Sequence, residues 1–299
     1  MVTSARSDAP LSFGDVFAPP TLAQHDVLAG QASVLVDDSD VANCGLPLGL
    51  RIAWLRQVHP YADIRIGEGR ALPEEVRAES QAVRADPVGR WSSLHQVVQG
   101  GLTIRVCVVG AESTGKTTLV DEMARRHGTQ RIGEYGREYT VMKKSAGTND
   151  HWDTTDFVRI AREQQRLEDS AAVGAGPLLF CDTDAMTTAL WHERYLGSRS
   201  SEVERIGRMR TYDLFVLCDI DIPWEADAVR LGAETRSAMH ERFIEMLTVE
   251  RTEPWVQVSG SVLQRCMAVE AEIARLGLLN PAEMYAASRW RVNGAAAVE

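Results

Sequence analysis

A parallel α/β sheet with helices on both faces, preceded by a small degenerate α/β segment, is the fold class this sequence predicts. Three observations predict it. Short apolar runs without alternation, such as Ile104-Arg-Val-Cys-Val-Val109 and Leu178-Leu-Phe-Cys181, recur from residue 103 onward, as strands buried on both faces require. Amphipathic helical stretches separate these runs, the pattern of a doubly covered parallel sheet. Between the first run and the first helix stands Gly110-Ala-Glu-Ser-Thr-Gly-Lys-Thr117, a GxxxxGK[ST] phosphate-binding loop in the strand–loop–helix setting that gives the pattern its meaning. The chain has only three lysines, so roughly 0.002 chance matches to this pattern are expected.

Taken in order, residues 1 to about 30 carry Pro10, Pro19 and Pro20 with little periodicity and read as loose. Ala32 to Val36 and Ala62 to Ile66 read as short strands. Leu48 to Val58 and Pro73 to Arg84 read as helices, the second with proline in its first turn. Asp86-Pro87-Val-Gly89 interrupts, and the polar stretch up to Gly101 reads as a linker. The strand candidates that follow are Thr103–Val109, Arg131–Ile132, Leu178–Cys181, Leu214–Cys218 and Trp255–Val258. The helix candidates begin with the segment after the loop, where Leu119 and Met123 oppose Arg125 and Arg126. Asp156–Ala172, Arg236–Leu247 and Val262–Leu276 follow. The expected organisation is a degenerate segment at 1–100, a nucleotide-binding domain at 101–279 and a fraying tail at 280–299.

Bulk properties narrow the function classes. At 299 residues the chain can build one large or two modest cores. A net charge of −10 without a basic stretch argues against a nucleic-acid partner held by phosphate neutralisation. No apolar stretch reaches membrane-spanning length, so no membrane partner is expected. The five cysteines form no CxxC pair, and Cys107, Cys181 and Cys218 lie in apolar runs where a thiol packs as a small hydrophobe. A reducing, cytoplasmic setting is expected. Homo-oligomerisation stays open.

The chemistry of the loop follows from its residue types. Glycine at Gly110 and Gly115 permits bends too sharp for a Cβ, so the amides of Glu112, Ser113, Thr114, Gly115, Lys116, Thr117 and Thr118 can wrap the phosphates of ATP. Lys116 reaches the terminal phosphates, and the Thr117 hydroxyl takes Mg²⁺. In an open parallel sheet ligands bind beyond the carboxyl ends of the strands. Two further strand ends carry acids: Arg131-Ile-Gly-Glu134 and Leu178-Leu-Phe-Cys-Asp-Thr-Asp184. Asp182 is expected in the Mg²⁺ shell opposite Thr117, its competing role being a helix cap. Phosphoryl transfer to a hydroxyl also needs a carboxylate to take the proton. Glu134 is the first candidate and Asp184, facing the substrate, the second. An exposed helix-start acid is the competing role for Glu134. Arg230 and Arg236, between a strand and a helix, are candidates to neutralise the transferring phosphoryl group, against an ordinary solvent-facing role. Tyr135, Arg137 and Trp152 are candidates to contact the acceptor, while Phe157 fits a core stripe.

Together these residues resemble the ribosylnicotinamide kinase domain of the NadR family, which joins an adenylyltransferase-like domain to a C-terminal P-loop kinase. The resemblance spans roughly residues 103–275. It rests on Gly110–Thr118, Glu134-Tyr-Gly-Arg-Glu-Tyr139, Phe157-Val-Arg-Ile-Ala-Arg-Glu-Gln164, Cys181-Asp-Thr-Asp184, Trp191-His-Glu-Arg-Tyr195 and Asp221-Ile-Pro-Trp224 with Arg230, in the family's order. It implies a P-loop kinase-type sheet and Mg-ATP-dependent phosphorylation of the 5′-hydroxyl of nicotinamide riboside. A kinase for another (deoxy)nucleoside, or a non-catalytic sensor of ATP and pyridine nucleotides, are the alternatives. Two family ring-stacking positions correspond here to Gly133 and Ser170, a loss on the order of 1–3 kcal/mol of ring binding.

The N-terminal third resembles the family's adenylyltransferase through Asp37-Asp38, Leu50–Leu55, Ser80–Arg84, Asp86-Pro87 and Trp91. The family's paired-histidine motif does not survive in Phe17-Ala-Pro-Pro-Thr-Leu-Ala-Gln-His25. The segment is also short against about 150 residues for a dinucleotide-binding unit. It is expected to lack adenylyltransferase activity and to be only partly folded.

Overall fold

In a computed structural model of the chain, the described residues are 24–28, 31–37, 63–67, 82, 85–94, 96–146, 151–224 and 235–280. The expected helix at 48–58, most of that at 73–84, Arg230 and the tail beyond 280 lie outside them. The chain divides into two compact units, Met1–Leu102 and Thr103–Val298.

The first unit holds a three-stranded sheet of β1 (Gln24–Leu28), β2 (Gln31–Asp37) and β3 (Asp63–Gly67). β2 pairs antiparallel with β1 and parallel with β3. The stretch read as loose therefore contains a strand. The expected linker is also structured. Asp86 Oδ1 accepts the Gly89 N–H at 2.8 Å in an Asx turn, a 3₁₀ turn spans Trp91–Ser93, and α1 spans Gln96–Leu102. Its polar residues hid a helix of only 7 residues.

The second unit contains the parallel sheet. Its strands are β4 (Ile104–Val109), β5 (Arg131–Ile132), β6 (Leu178–Asp182), β7 (Leu214–Cys218) and β8 (Trp255–Val258), in the order β5-β6-β4-β7-β8. All four pairings are parallel. Every residue of β4, β6 and β7 is buried, which explains why none of these runs alternates. The strands that follow β4 in the chain flank it on both sides, first β5 and β6 on one side and then β7 and β8 on the other. The loop leaving β4 therefore opens at the topological switch point.

The helices are α2 (Lys116–His127), α3 (Tyr135–Ser145), α4 (Thr154–Ala172), α5 (Ala185–Leu196), α6 (Ser201–Arg208), α7 (Arg236–Glu245) and α8 (Val262–Arg275). α7 runs on into a single π turn over Met246–Glu250. Each boundary has a local cause. Gly128, in left-handed conformation at φ 59°, ends α2 and donates to the Ala124 and Arg125 carbonyls. Capping boxes open α4 (Asp153 with Asp156) and α8 (Ser261 with Gln264). α4 to α7 bury Phe157, Ala161, Met186, Leu190, Ile206 and Phe243 against the sheet face formed by Cys107, Leu179, Cys181 and Phe215. α2 packs against α8.

A close approach of two helices explains one glycine. A Cβ on Gly207 of α6 would stand 2.8 Å from Met186 Cα and 3.0 Å from its nitrogen, backbone atoms of α5 that cannot swing aside. Gly207→Ala is expected to destabilise the unit by about 1–3 kcal/mol through overpacking, read as a lower urea midpoint at unchanged slope.

Candidate active site

The loop closes around backbone conformations that few residues tolerate. Gly110 has φ 143°, and a Cβ there would meet the Cys218 carbonyl oxygen at 2.9 Å. Gly115 has φ 80° and occupies the cap position of α2. Two non-glycine residues also have positive φ, Ser113 at 56° and Thr183 at 66°. Both line one cleft, in line with the tendency of backbone strain to collect at functional sites.

That cleft is partly open to solvent. The phosphate loop contributes Glu112, Ser113, Thr114, Gly115, Lys116, Thr117 and Thr118. Glu134, Gly136, Arg137 and Thr140 come from the start of α3, and Phe157, Ile160 and Gln164 from α4. Trp152, Thr183, Thr187, Thr188, Trp191 and Tyr195 complete it. Lys116, Glu134, Arg137, Trp152 and the loop thus meet in one space.

The Lys116 ammonium donates to the Ala111 carbonyl at 2.9 Å, folded back across its own loop. The Thr117 hydroxyl donates to Asp182 Oδ2 at 2.5 Å. Asp182 is 1% exposed, and its other oxygen, Oδ1, has no hydrogen-bond partner. A buried carboxylate oxygen without a donor, beside a hydroxyl, fits a divalent cation that is reached directly or through water. Among the described residues there is no cluster of three or more His, Cys, Asp or Glu able to hold a metal. A cation here would draw most of its ligands from phosphate and water, as Mg²⁺ does. Burial holds the Asp182 carboxyl above its ordinary value, against the opposing pull of Lys116 and the Thr117 hydrogen bond.

Glu134 stands at the cap position of α3, yet its side chain makes no cap hydrogen bond. Burial raises its proton affinity, Lys116 lowers it and Asp182 raises it again. Lys116 and the two acids therefore share one electrostatic neighbourhood. The start of α3 is pinned from α4: the Tyr135 N–H donates to Gln164 Oε1 at 3.0 Å, and Gln164 Nε2 reaches Glu168 Oε1 at 3.4 Å. Glu168 is fully buried, accepts the Tyr212 hydroxyl on both oxygens at 2.9 Å, and is pushed by burial to a pKa of about 7.

Three expectations need correction. Asp184 does not line the cleft. Its Oδ1 caps α5, accepting the Thr187 N–H and hydroxyl at 2.7 Å each, and the residue is 1% exposed. Arg236 does not reach into the cleft either. It is buried, donating to the Ile222 carbonyl at 2.7 Å and the Ser113 carbonyl at 3.1 Å. The Tyr135 ring turns towards Tyr139, with centroids 6.2 Å apart, and leaves the cleft wall to its neighbours.

The aromatic side of the cleft was the part least anticipated. Trp152 packs at 5.3 Å from both Phe157 and Tyr195, with the Lys143 ammonium 5.0 Å over its ring. Trp191 meets Tyr195 edge-on at 6.5 Å. Trp191 and Tyr195 lie four residues apart on α5, a spacing that places both rings on one helical face. That spacing, together with the Thr187-Thr188 pair one turn earlier, was the available signal. Neither Gly133 nor Ser170 lines the cleft.

Comparison with known proteins fits this geometry. A family model described as an AAA domain matches residues 105–265. The chain is 31% identical over 173 residues to the trifunctional NAD biosynthesis/regulator protein NadR of Salmonella typhimurium and 30% identical to that of Escherichia coli K12. Each alignment covers 57% of this chain and 42% of the relative, so the match spans less than half the length of those proteins. Two crystal structures of NadR superpose with a TM-score of 0.58, one in complex with NR and one with NAD and AMP-PNP. They share 19% and 20% sequence identity with this chain and cover 83% of it and 88% of their own chains, a likeness of fold. The switch-point loop, the parallel sheet and the sequence match agree: this chain belongs to the AAA domain family and is a homologue of NadR.

Proposed function

We propose that the chain is a Mg-ATP-dependent kinase that phosphorylates the 5′-hydroxyl of a small nucleoside, nicotinamide riboside first among them, to give nicotinamide mononucleotide. The observation that carries this reading is the convergence of the phosphate loop, Glu134 and an aromatic wall on one cleft, with Thr117 of that cleft bonded to the buried Asp182. A triphosphate would lie along the loop amides with Lys116 at its terminal phosphates. Bound Mg²⁺, held on the Thr117 hydroxyl and on Asp182 directly or through water, would neutralise charge on the β- and γ-oxygens. Glu134 would take the acceptor's hydroxyl proton, and Trp152, Trp191 and Tyr195 would flank an aromatic base. An electron-poor pyridinium ring suits such electron-rich faces. In the first unit, the absence of the paired-histidine motif supports a segment without adenylyltransferase activity. NAD formation from nicotinamide mononucleotide and ATP would overturn that part.

The test is nucleoside-dependent ADP formation by the full chain, with nicotinamide riboside, adenosine, cytidine and their deoxy forms as acceptors. The highest kcat/KM is expected with nicotinamide riboside. Preference for a deoxynucleoside would redirect the substrate assignment, and ADP formation independent of any acceptor would remove the kinase reading. Glu134→Gln is expected to lower kcat by about 10²–10⁴-fold with little change in the KM for ATP. Because burial raises this carboxyl, the base is lost to protonation at a higher pH than an ordinary carboxylate. The acid limb of the kcat/KM profile should therefore lie above the usual carboxylate range. The glutamine variant should lack that limb.

A further inference from the structure

The outward side of the phosphate loop is held by two buried arginines. Arg236, from the first residue of α7, donates to the Ser113 carbonyl at 3.1 Å and ties it to the Ile222 carbonyl at 2.7 Å. Arg265, from α8 and 3% exposed, donates to the Thr114 carbonyl at 2.7 Å and to the Gly260 carbonyl at 2.9 Å. Its remaining nitrogen pairs with Asp221, whose second oxygen accepts the Gly260 N–H at 2.5 Å. Two guanidinium groups thus grip consecutive carbonyls of one loop. Burial lowers the proton affinity of Arg236, Asp221 raises it, and the neighbouring Arg265 lowers it again.

We propose that Arg236 and Arg265 form a brace that aims and polarises the Thr114 and Gly115 amides towards a bound polyphosphate, acting as positioning residues. Across a trans peptide the carbonyl and the following N–H point in opposite directions, and no cis peptide bond occurs among the described residues. Fixing the Ser113 and Thr114 carbonyls outward therefore turns the next two N–H groups inward, to the cleft side. A positive charge on each carbonyl also withdraws electron density from the same peptide unit and strengthens its N–H as a donor. The brace holds Ser113 in its left-handed conformation at φ 56°, which a free loop would relax. This inference deepens the phosphate-site reading above and rests on it.

The probe is inorganic tripolyphosphate, which needs the loop but offers no base or ribose. It would be titrated calorimetrically into the full chain and into Arg236→Met, Arg265→Met and the corresponding lysine variants, with nicotinamide riboside titrated in parallel. Each methionine variant is expected to weaken tripolyphosphate at least 10-fold and to raise the KM for ATP in step, with nicotinamide riboside affinity unchanged within two-fold. The lysine variants, with charge retained but a single point donor, are expected to fall between, at about 3–10-fold. A folded methionine variant with wild-type tripolyphosphate affinity overturns the brace. So does an equal loss of both ligands, which would mark a general structural role. Should the methionine variants not fold, wild-type affinity in both lysine variants overturns it. A wild-type chain that bound no tripolyphosphate would remove the kinase reading first and the brace with it.

Discussion

Lys116→Ala is expected to lower kcat/KM by about 10³-fold, equivalent to about 4 kcal/mol of transition-state stabilisation. The loss is large because no second lysine lines the cleft. Of the chain's three lysines, Lys143 is paired with Asp156 at 2.6 Å, and it, like Lys144, is held on α3. Stability should change little, since Lys116 occupies the first residue of α2 and alanine is a strong helix former. A second consequence separates a direct role from a merely structural one. The Lys116 charge lowers the proton affinities of Glu134 and Asp182, so its removal should shift the acid limb of any residual activity to higher pH. Steady-state kinetics across pH 5–9 with a thermal melt at each pH reads both. Wild-type turnover in the alanine variant, or an acid limb moved downward, would contradict the assignment.

Asp182→Asn should cost about 10²–10³-fold in kcat and raise the Mg²⁺ concentration for half-maximal activity at least 10-fold. The asparagine keeps the shape and can still meet the Thr117 hydroxyl, so only charge and one oxygen are lost. Here stability should move the other way. A carboxylate 1% exposed, with its Oδ1 unpartnered and its proton affinity raised by burial, opposes folding. The variant is therefore expected to melt at or above the wild-type temperature in the absence of nucleotide, a trade of stability for activity. An unchanged Mg²⁺ requirement would exclude Asp182 from the cation site.

The sheet was legible in the sequence because each central strand is an uninterrupted buried run, and a run of that kind has few other places to go. The phosphate loop was legible because its glycines, lysine and threonine are tied to backbone geometry. What stayed hidden depended on direction rather than composition. Asp182 and Asp184 are two residues apart, which in an unbroken strand would turn both to one side. Thr183, at φ 66°, breaks the alternation, so Asp182 bonds Thr117 while Asp184 caps α5. Arg236 read as a candidate to neutralise the transferring phosphoryl group, or else as a solvent-facing arginine, because nothing in a sequence announces that a loop over 100 residues earlier offers it a carbonyl. α5 is buried from Ala185 to Leu190 and again at His192, and so shows no polar stripe against which Trp191 and Tyr195 would stand out. β1 follows Pro19 and Pro20 and mixes polar with apolar residues, leaving its pairing with β2 unmarked.

β5 is two residues long, sits at the margin of the sheet and pairs with β6 alone, whereas β4 is enclosed on both sides. Glu134 departs from the first and the phosphate loop from the second. Amides of an enclosed central strand exchange with solvent only through large-scale opening, while a marginal two-residue strand frays at little cost. The strand end that leads to Glu134 is therefore the more pliable of the two. Substitutions at that strand end are expected to leave the phosphate loop's own strand undisturbed.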